Sequence, residues 1–354
     1  MKILDRYISN AVINATLMVS VIVVAIQFFL NVVQQFNSLG QHNYDLWHAF
    51  LYVFMQMPAQ FYQLFPMAGF LGAMIGLGRL AMSNQLVVMR AAGVSVIRIA
   101  GSVLKAALIM VVIVTIIGEG IGLSLQQKAD DLQKIWLMPT AHHALLHDIW
   151  LRHDHSFTHI GQLKSPDVIT NITYYTFSPN GQLTEASYAP MGRLINGQWR
   201  LTDLQESIFT EHQLITKKLP QAILPVDFKP TLQMKMELTS TEQTLDNLWR
   251  VIHYRRITGL SADQFVFALS QRILQPITTL VMIVLAVPFV FGSFRSTTMS
   301  VRILMGVFIG FIFYMLNQLF GPITLVYQVP PILAAMLPTL LFLALASVLL
   351  VRVR

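Results

Sequence analysis

The chain has 354 residues, of which 55% are hydrophobic and only 12% are charged, and its mean hydropathy is +0.58. Soluble domains carry about 25% charged residues, so this composition excludes an ordinary soluble enzyme. The formal net charge of +7 is unevenly distributed, which indicates membrane topology and contact with anionic headgroups rather than nucleic acid binding.

Six apolar stretches are each long enough to cross the hydrocarbon core of a bilayer, which needs about 20 residues of helix. They lie at 11–34, 49–81, 96–125, 265–291, 303–320 and 331–351. The first follows Lys2 and Arg6 and is similar to a signal peptide. Its apolar run is too long for that role and no small-residue cleavage site follows it, so we predict a retained helix. The layout is therefore three helices, a long polar insert and three more helices.

The short segments between the apolar stretches indicate the orientation. Ten Lys and Arg residues but only one acid lie in the segments that share a side with the N-terminus, which are 1–10, 79–105, 293–302 and 352–354. The short segments on the other side, 36–48 and 320–330, hold no Lys or Arg. Because short cytoplasmic loops are enriched in basic residues, both termini are predicted to be cytoplasmic and the insert to face outward.

A short helix is predicted at 83–94, between the second and third apolar stretches. It begins at Ser83 or Asn84 as N-cap and stops at Gly93. Leu86, Met89 and Arg90 lie on one face of this predicted helix, and Val87 and Ala91 lie beside them. Such a helix either lies among lipid headgroups or docks into a groove on a cytosolic partner.

Polar side chains are few inside the predicted spans. Most are amides, namely Gln27, Asn31, Gln34, Gln35, Gln56, Gln60, Gln63, Asn317 and Gln318. Polar groups in lipid usually face the helix bundle or a wet cavity, so these amides either join helices by hydrogen bonds or line a substrate site. Glu119, Asp263 and Arg272 lie near the ends of the predicted spans, which argues against an ion-driven pump.

The insert is predicted to be an all-β domain at 133–240. A run rich in Thr, Ile and Tyr at 169–177 is one of several strand-like segments separated by turn signals. Asn196 and Gly197 are typical of a two-residue hairpin turn. Strands at this spacing favour a sandwich, a jelly roll or an open barrel. A helix at 241–257 is predicted to lead into the fourth span.

Six histidines lie at the start of the insert, and they are His142, His143, His147, His153, His155 and His159. The spacing of His143 and His147 suits one face of a helix, so zinc binding is one interpretation. A polar surface is the other, and we favour it because the spacing places no carboxylate beside them.

No catalytic site is predicted. The chain has no cysteine, which excludes disulfides, thiolate metal sites and cysteine nucleophiles. It also lacks G-x-S-x-G, H-E-x-x-H and G-x-x-x-x-G-K-[ST], so it has no P-loop of its own with which to hydrolyse a nucleotide. We predict no cofactor and no metal in this chain.

Several stretches resemble one family of membrane proteins. They are LDRYI at 4–8, FPMAGFLG at 65–72, QLVVMRAAG at 85–93, QP at 275–276, FGSFRS at 291–296, and FGPITLVY at 320–327 followed by VPP at 329–331. These stretches resemble the LptF/LptG permeases of lipopolysaccharide export, and the first and last favour the LptG branch. The resemblance runs nearly end to end and includes the plan of three helices, insert and three helices.

The resemblance implies an ABC exporter in which this chain and an LptF paralogue sit on a dimer of the LptB ATPase, which would bind ATP and Mg²⁺. Such a machine extracts lipopolysaccharide from the inner membrane of a Gram-negative bacterium and passes it through LptC to a periplasmic β-jelly-roll bridge. The insert is then implied to be a periplasmic, jelly-roll-like domain.

The resemblance also implies roles for residues. The segment 83–94 would be the coupling helix that docks on the ATPase, through Ser83, Asn84, Gln85, Leu86, Val87, Met89, Arg90 and Gly93. The first and fifth helices would form lateral gates, and together with the second they would line the lipid cavity. The candidates for that lining and gate are Phe28, Asn31, Gln34, Phe65, Arg302, Phe311, Tyr314 and Asn317.

Two positions depart from the family pattern. Relatives carry an acidic residue at the start of the coupling helix, where this chain has Gln85, so a salt bridge would become a weaker neutral hydrogen bond. Relatives also carry lysines near the outer end of the first span, suited to lipid A phosphates, whereas 31–38 has no basic residue. Phosphate contacts would then come from elsewhere, such as the partner chain, or the headgroup differs.

From the sequence we predict a permease subunit that does no covalent chemistry. Two alternatives stay open. A membrane-anchored scaffold would bind periplasmic partners through the β-domain without transport, and it would have no need of an ATPase at 83–94. An ion-coupled transporter would depend on the proton gradient, and the scarcity of charge within the spans weakens it.

Overall fold

The computed structural model describes residues 2–137, 146–153, 155–165, 167–195, 197–210, 213–224, 244–257, 260–291 and 298–352. The chain divides into two compact units. One is helical and comprises Met1–Leu137, Ser240–Trp249 and Ala262–Arg354. The other contains the β-sheet and comprises Met138–Thr239 and Arg250–Ser261.

Among the described residues, six helices are long and apolar enough to cross a membrane, which confirms the six predicted spans. The first, second, fourth, fifth and sixth are α1 (Lys2–Gln35), α2 (Leu46–Met82), α7 (Asp263–Phe291), α8 (Met299–Tyr327) and α9 (Pro331–Arg352). The third is one long helix built from α4 (Val96–Thr115), a π-helical turn (Ile116–Gly122) and α5 (Leu123–Leu137). Two shorter helices are α3 (Gln85–Ala91) and α6 (Leu245–Ile257).

The third helix is longer than its apolar stretch, which ends near 125. It continues to Leu137 because its last turns are amphipathic and pack on α2 through polar contacts. One such contact is the hydrogen bond from the Tyr52 hydroxyl to Asp130 Oδ1, at 3.2 Å. Apolar length therefore predicts the part of a helix that crosses lipid, and it misses the polar end.

The helix α2 is the centre of the helical unit. In its most apolar stretch 72% of the residues are buried, against 22% in α1 and 17% in α8. Glycines let α1 approach it closely, since a Cβ built on Gly72 would lie 2.4 Å from the Thr16 Cα and one built on Gly76 would lie 2.7 Å from the Ala11 carbonyl oxygen. Small residues allow such close backbone contact between membrane helices.

The insert contains one antiparallel sheet of six described strands in the order β1-β2-β3-β4-β5-β6. The strands are β1 (Leu146–His153), β2 (Ser156–Ser165), β3 (Val168–Phe177), β4 (Leu183–Ile195), β5 (Gln198–Phe209) and β6 (Leu214–Ile223). The predicted all-β insert between the two sets of helices is thereby confirmed. Ile195 pairs with Gln198 across the predicted two-residue turn, and Gly197 has the positive φ, 79°, that this turn needs.

One face of the sheet forms the core of the second unit. Ile160 on β2 pairs with Ile172 on β3, and both are almost completely buried. Trp199 and Leu201 on β5 join the same apolar cluster. Buried positions alternate with half-buried ones along most of β2, which is the pattern of a strand with one face in a core.

Candidate functional site

The helix α3 sits in the loop between α2 and α4, and its two ends are made differently. At the start, Ser83 Oγ donates to the carbonyls of Arg79 and Leu80, at 3.0 and 3.2 Å, so it completes the end of α2. At the other end the Gly93 N–H donates to the Arg90 carbonyl and the Val94 N–H to the Met89 carbonyl, both at 3.0 Å. With Gly93 at φ 86°, this pair of bonds is a Schellman ending.

The two faces of α3 have different surroundings. Leu86 is 2% exposed and belongs to the helical core, and Met89 packs against the same core. Val87, Val88 and Arg90 are exposed. The sequence grouped Leu86 and Met89 with Arg90, but the core of the chain itself takes up the first two, because α3 lies against the end of α2.

The side chain of Gln85 is engaged within the chain. Its Oε1 accepts a hydrogen bond from the Tyr7 hydroxyl at 2.9 Å, which joins α3 to α1. The exposed apolar and basic surface of α3 is therefore centred on Val87, Val88 and Arg90.

A continuous chain of hydrogen bonds joins the first three spans; we call it the amide chain. Its members, in order of donation, are Gln27, Asn31, Gln60, Gln56 and Asp130. The bonds from Gln27 to Asn31, from Gln60 to Gln56 and from Gln56 to Asp130 are each 3.1 Å long. Gln27 only donates, and each of the other three amides accepts from one neighbour and donates to the next, so the amide chain ties α1 to α2 and α2 to α5.

A second polar contact, beyond the amide chain, ties α1 to α5 and to the segment that precedes α2. Gln35 Oε1 accepts from Gln133 Nε2 at 2.8 Å and from the Tyr44 hydroxyl at 2.9 Å. Tyr44 is 1% exposed and its ring lies beside Trp136, with ring centroids 6.3 Å apart. Burial raises the pKa of Tyr44 above its usual value, so the hydroxyl keeps its proton and remains a donor.

The candidates for the lipid cavity fall into different surroundings. Gln34, Phe311 and Tyr314 are exposed, while Phe28 and Asn317 are half-buried. Asn31 and Phe65 are buried inside the helical unit, at 7% and 4% exposure. The side chain of Arg302 lies outside the described residues. The predicted set therefore mixes side chains on the surface with side chains that hold the bundle together.

A cavity of about 110 Å³ lies between α2, the π-helical turn, α7 and α8; we call it the polar pocket. Tyr314 and Asn317 line it, and the other described cavity candidates do not. Its polar lining side chains are Tyr62, Gln63, Glu119, Gln271, Arg272, Gln275, Tyr314, Asn317 and Gln318. Ionisable side chains such as Glu119 and Arg272 are rare within membrane helices and mark functional sites there, so the polar pocket is a candidate site.

Two of the stretches that carry the family resemblance meet at this pocket. Pro66 has no N–H, so the Tyr62 carbonyl one turn earlier loses its helical hydrogen bond. Gln275 Nε2 on α7 donates to that carbonyl at 3.1 Å. Nearby, Gln271 Nε2 donates to the Asn317 carbonyl on α8 at 3.0 Å. The FPMAG and QP stretches therefore act on the same atom, because Pro66 leaves the Tyr62 carbonyl without its helical donor and Gln275 donates to it.

The sequence did not point to Tyr62, Glu119, Gln271 or Arg272 as site residues. Glu119 and Arg272 were interpreted as lying near helix ends, yet both line a pocket between the helices, because the third helix runs on to Leu137 and α7 begins at Asp263. One signal was present. Glycines flank Glu119 on both sides at 118, 120 and 122, and such spacing is typical of close helix packing.

Metal binding receives no support in the described ranges, where no group of three or more His, Asp and Glu side chains is arranged to hold an ion. His142 and His143 lie outside the described residues, as do the side chains of His147 and His153. His159 Nε2 lies 3.2 Å from Asp148 Oδ1, and the His159 ring lies beside Trp150, with ring centroids 4.6 Å apart.

Residues 6–352 match the lipopolysaccharide export system permeases LptF/LptG. The chain belongs to the LptF/LptG family. It is 31% identical over 353 residues to the lipopolysaccharide export system permease protein LptG of Escherichia coli strain K12, covering 99% of this chain and 98% of that one. The LptG protein of Haemophilus influenzae strain Rd is also 31% identical over 353 residues, with 99% of both chains covered.

The family match confirms the resemblance inferred from the short stretches. The matched residues, 6–352, include both sets of membrane helices, α3 and the β-sheet insert. The relatives are permease subunits by name, which agrees with a transmembrane subunit that does no covalent chemistry.

Proposed function

We propose that this chain is an LptG-type permease subunit of an ABC exporter that extracts lipopolysaccharide from the inner membrane. Its partners are an LptF paralogue and LptC, and a separate LptB dimer supplies the energy by hydrolysing ATP. The observation that carries this proposal is the match over residues 6–352, because it takes in the helices, the docking loop and the insert together. A scaffold derived from one domain would share only part of that plan.

The docking surface of α3 couples ATP hydrolysis to transport. Val87, Val88 and Arg90 are exposed, so they meet the ATPase, while Leu86 anchors α3 in the helical core. An anchored helix passes a displacement on to the bundle instead of swinging freely. The Tyr7–Gln85 hydrogen bond extends that connection to α1, a proposed gate helix.

The proposed lateral gates are the two helices with the least buried apolar stretches. Only 22% of that stretch is buried in α1 and 17% in α8. Large side chains on α8 such as Leu304, Phe308 and Phe311 are more than half exposed. We assign these surfaces to the lipid cavity and to its boundary with LptF, where acyl chains would cover them.

The orientation follows from the basic short loops. Both termini and α3 are cytoplasmic, and the sheet of β1–β6 is periplasmic. In this arrangement ATP binding draws the coupling helices of the two permease chains together, the cavity closes, and the lipid moves outward to the β-domain and LptC.

The test is ATP-driven release of lipopolysaccharide from proteoliposomes that contain this chain with LptF, LptB and LptC. Arg90→Glu reverses the charge of the docking surface. We expect export to fall by about tenfold or more, since repulsion between like charges at an interface costs several kcal/mol and about 1.4 kcal/mol corresponds to a factor of ten. Arg90→Lys is the matched control and should retain most activity. Export at the wild-type rate in Arg90→Glu would remove the docking role from α3.

A second variant tests the helix itself. The Val88 N–H donates to the Asn84 carbonyl at 3.0 Å, so Val88→Pro removes that bond and breaks α3, whereas Val88→Ala keeps it. We expect Val88→Pro to uncouple ATP hydrolysis from export while the spans stay folded. Binding of periplasmic partners without LptB would favour the scaffold, and export that ignores ATP but needs a proton gradient would favour an ion-coupled transporter.

A further inference from the structure

The polar pocket contains groups that the described part of the chain leaves without hydrogen bonds. Tyr62 is 7% exposed, and its buried hydroxyl lies beside the Thr115 side chain but completes no hydrogen bond among the described residues. Oε1 of Glu119 is also buried and forms no hydrogen bond among the described residues. Both side chains line the pocket. Because buried polar atoms without partners are unfavourable, these two atoms favour an occupant that forms hydrogen bonds.

The charges around the pocket favour an uncharged occupant. Glu119 and Arg272 bring one negative and one positive side chain to it, and five amide side chains complete most of the polar lining. A phosphate would meet the Glu119 carboxyl as well as the Arg272 guanidinium, and an ammonium group would meet the same two side chains, so the pocket as a whole matches neither charge. An acyl chain would leave the polar lining unsatisfied.

Glu119 Oε1 and the Tyr62 hydroxyl also limit the chemical class of the occupant. A carboxyl oxygen accepts hydrogen bonds, whereas a tyrosine hydroxyl donates and accepts. A hydroxyl group can donate to Glu119 and accept from Tyr62 at the same time. Several hydroxyls on one ring, as in a sugar, suit a pocket that is lined by both donors and acceptors.

The position of the pocket suits a lipid headgroup. The lining residues of α7 lie near its start and those of α8 lie in its second half, which is the outward side in the proposed orientation. Gln63, Tyr314 and Gln318 are exposed at the pocket, whereas Tyr62 is buried. The exposed Tyr314 ring offers a flat surface against which a sugar ring can pack, and Tyr314 is also a candidate for the lipid cavity.

The π-helical turn (Ile116–Gly122) brings Glu119 to this place. Gly118 packs directly on Tyr62, since a Cβ built there would lie 2.4 Å from the Tyr62 Cβ. Gly122 packs on Ala59 of α2 in the same way, at 2.9 Å from the Ala59 nitrogen. π-Helical turns occur frequently at functional sites, and this one sets Glu119 beside the wall of the pocket.

We propose that the polar pocket binds the hydroxyl-bearing edge of a sugar ring in the headgroup of the exported glycolipid, with Glu119 and Tyr62 as its central contacts. The proposal rests on the proposed function for the identity of the lipid. It gives this chain a means of recognising the headgroup that does not depend on basic residues in 31–38, where there are none.

The experiment measures binding of three probes to the purified complex with LptF, LptB and LptC by native mass spectrometry. The probes are dephosphorylated lipid A, which keeps the glucosamine disaccharide, free glucosamine, and phosphatidylethanolamine. Tyr62→Phe removes only a hydroxyl and Glu119→Ala removes the carboxylate. We expect each variant to weaken binding of dephosphorylated lipid A about tenfold and to leave binding of phosphatidylethanolamine unchanged. Tyr327→Phe, at the exposed end of α8, is the hydroxyl-matched control.

Each other outcome overturns the proposal. Unchanged glycolipid binding in both variants, together with a higher Tm in Tyr62→Phe, would mean that the pocket holds only water. Binding of free glucosamine without binding of the glycolipid would make it a site for soluble sugar. If the wild-type complex exports and binds the glycolipid and neither variant changes either result, the sugar site is wrong but the proposed function stands. Failure of the wild-type complex to export or bind lipopolysaccharide defeats the proposed function itself.

Discussion

The amide chain and the polar pocket both place polar side chains between apolar helices, but they differ in how their hydrogen bonds are made. In the amide chain, Asn31 and Gln60 each accept from one neighbour and donate to another. In the pocket, the Tyr62 hydroxyl and Glu119 Oε1 have no partner among the described residues. Polar groups that are satisfied within the chain hold helices together, whereas groups that are not satisfied favour a ligand.

The same helix contributes to both clusters. Gln56 and Gln60 of α2 are four residues apart, so they share one face and meet α1 and α5. Tyr62 and Gln63 follow within one turn and face the pocket. Because α2 is the most buried of the spans, it connects the helix held by the amide chain with the helices that form the pocket.

The largest effect is expected where the pocket wall is most tightly packed. A Cβ on Gly118 would lie 2.4 Å from Tyr62, so Gly118→Ala must displace the π-helical turn from α2. Overpacking of this kind costs about 1–3 kcal/mol, and it should also abolish glycolipid binding. The measurement is thermal unfolding of the purified complex in detergent.

Gly120→Ala is the matched control for that prediction. It lies in the same turn, and a Cβ built there meets nothing within 4 Å in the described part of the chain. Its Tm should stay close to wild type. Equal loss of stability in the two variants would show that helix propensity, and not contact with Tyr62, is responsible.

The amide chain should break when one of its central members loses its hydrogen bonds. Gln60→Leu leaves buried Asn31 without an acceptor and Gln56 without a donor, and interhelical bonds of this kind contribute about 0.6–1.7 kcal/mol each in membranes. Gln34→Leu, on the exposed surface of α1, should have little effect on Tm. The comparison between the two clusters fails if Gln34→Leu is as destabilising as Gln60→Leu.

A smaller effect is expected for Gln275→Leu, which removes the donor to the Tyr62 carbonyl. The expected loss is about 1 kcal/mol. Pro66→Ala restores an N–H one turn after Tyr62, so the carbonyl then has a helical partner and Gln275→Leu should matter less in that background. A double-mutant cycle on Tm measures this coupling, and simple additivity would mean that Gln275 does not compensate for Pro66.

The smallest effect is expected at the surface, away from both clusters. Asp45 caps α2, and the hydrogen bond from the His48 backbone N–H holds the pKa of its carboxyl below the usual value. A depressed pKa contributes stability above the unfolded-state value of about 3.8, and this contribution is lost as the pH falls through the folded-state pKa. The Tm difference between wild type and Asp45→Ala should therefore shrink below about pH 4. A difference that grows on acidification would contradict the assignment.

Local features of the fold could be predicted from the sequence. The six spans, the end of α3 at Gly93 and the positive φ of Gly197 each depend on a few neighbouring residues. The polar pocket could not be predicted, because Tyr62, Glu119 and Arg272 come from three different helices. The inward position of Leu86 was also missed, since helical periodicity groups side chains on one face without showing which neighbour covers them.

The measurement that tests the central claim most directly is purification of this chain from native membrane in mild detergent, with mass spectrometry of the proteins and lipids that accompany it. We expect LptB, LptF and lipopolysaccharide to be recovered together in a fixed ratio. Recovery of periplasmic partners with neither an ATPase nor lipopolysaccharide would contradict a role in export.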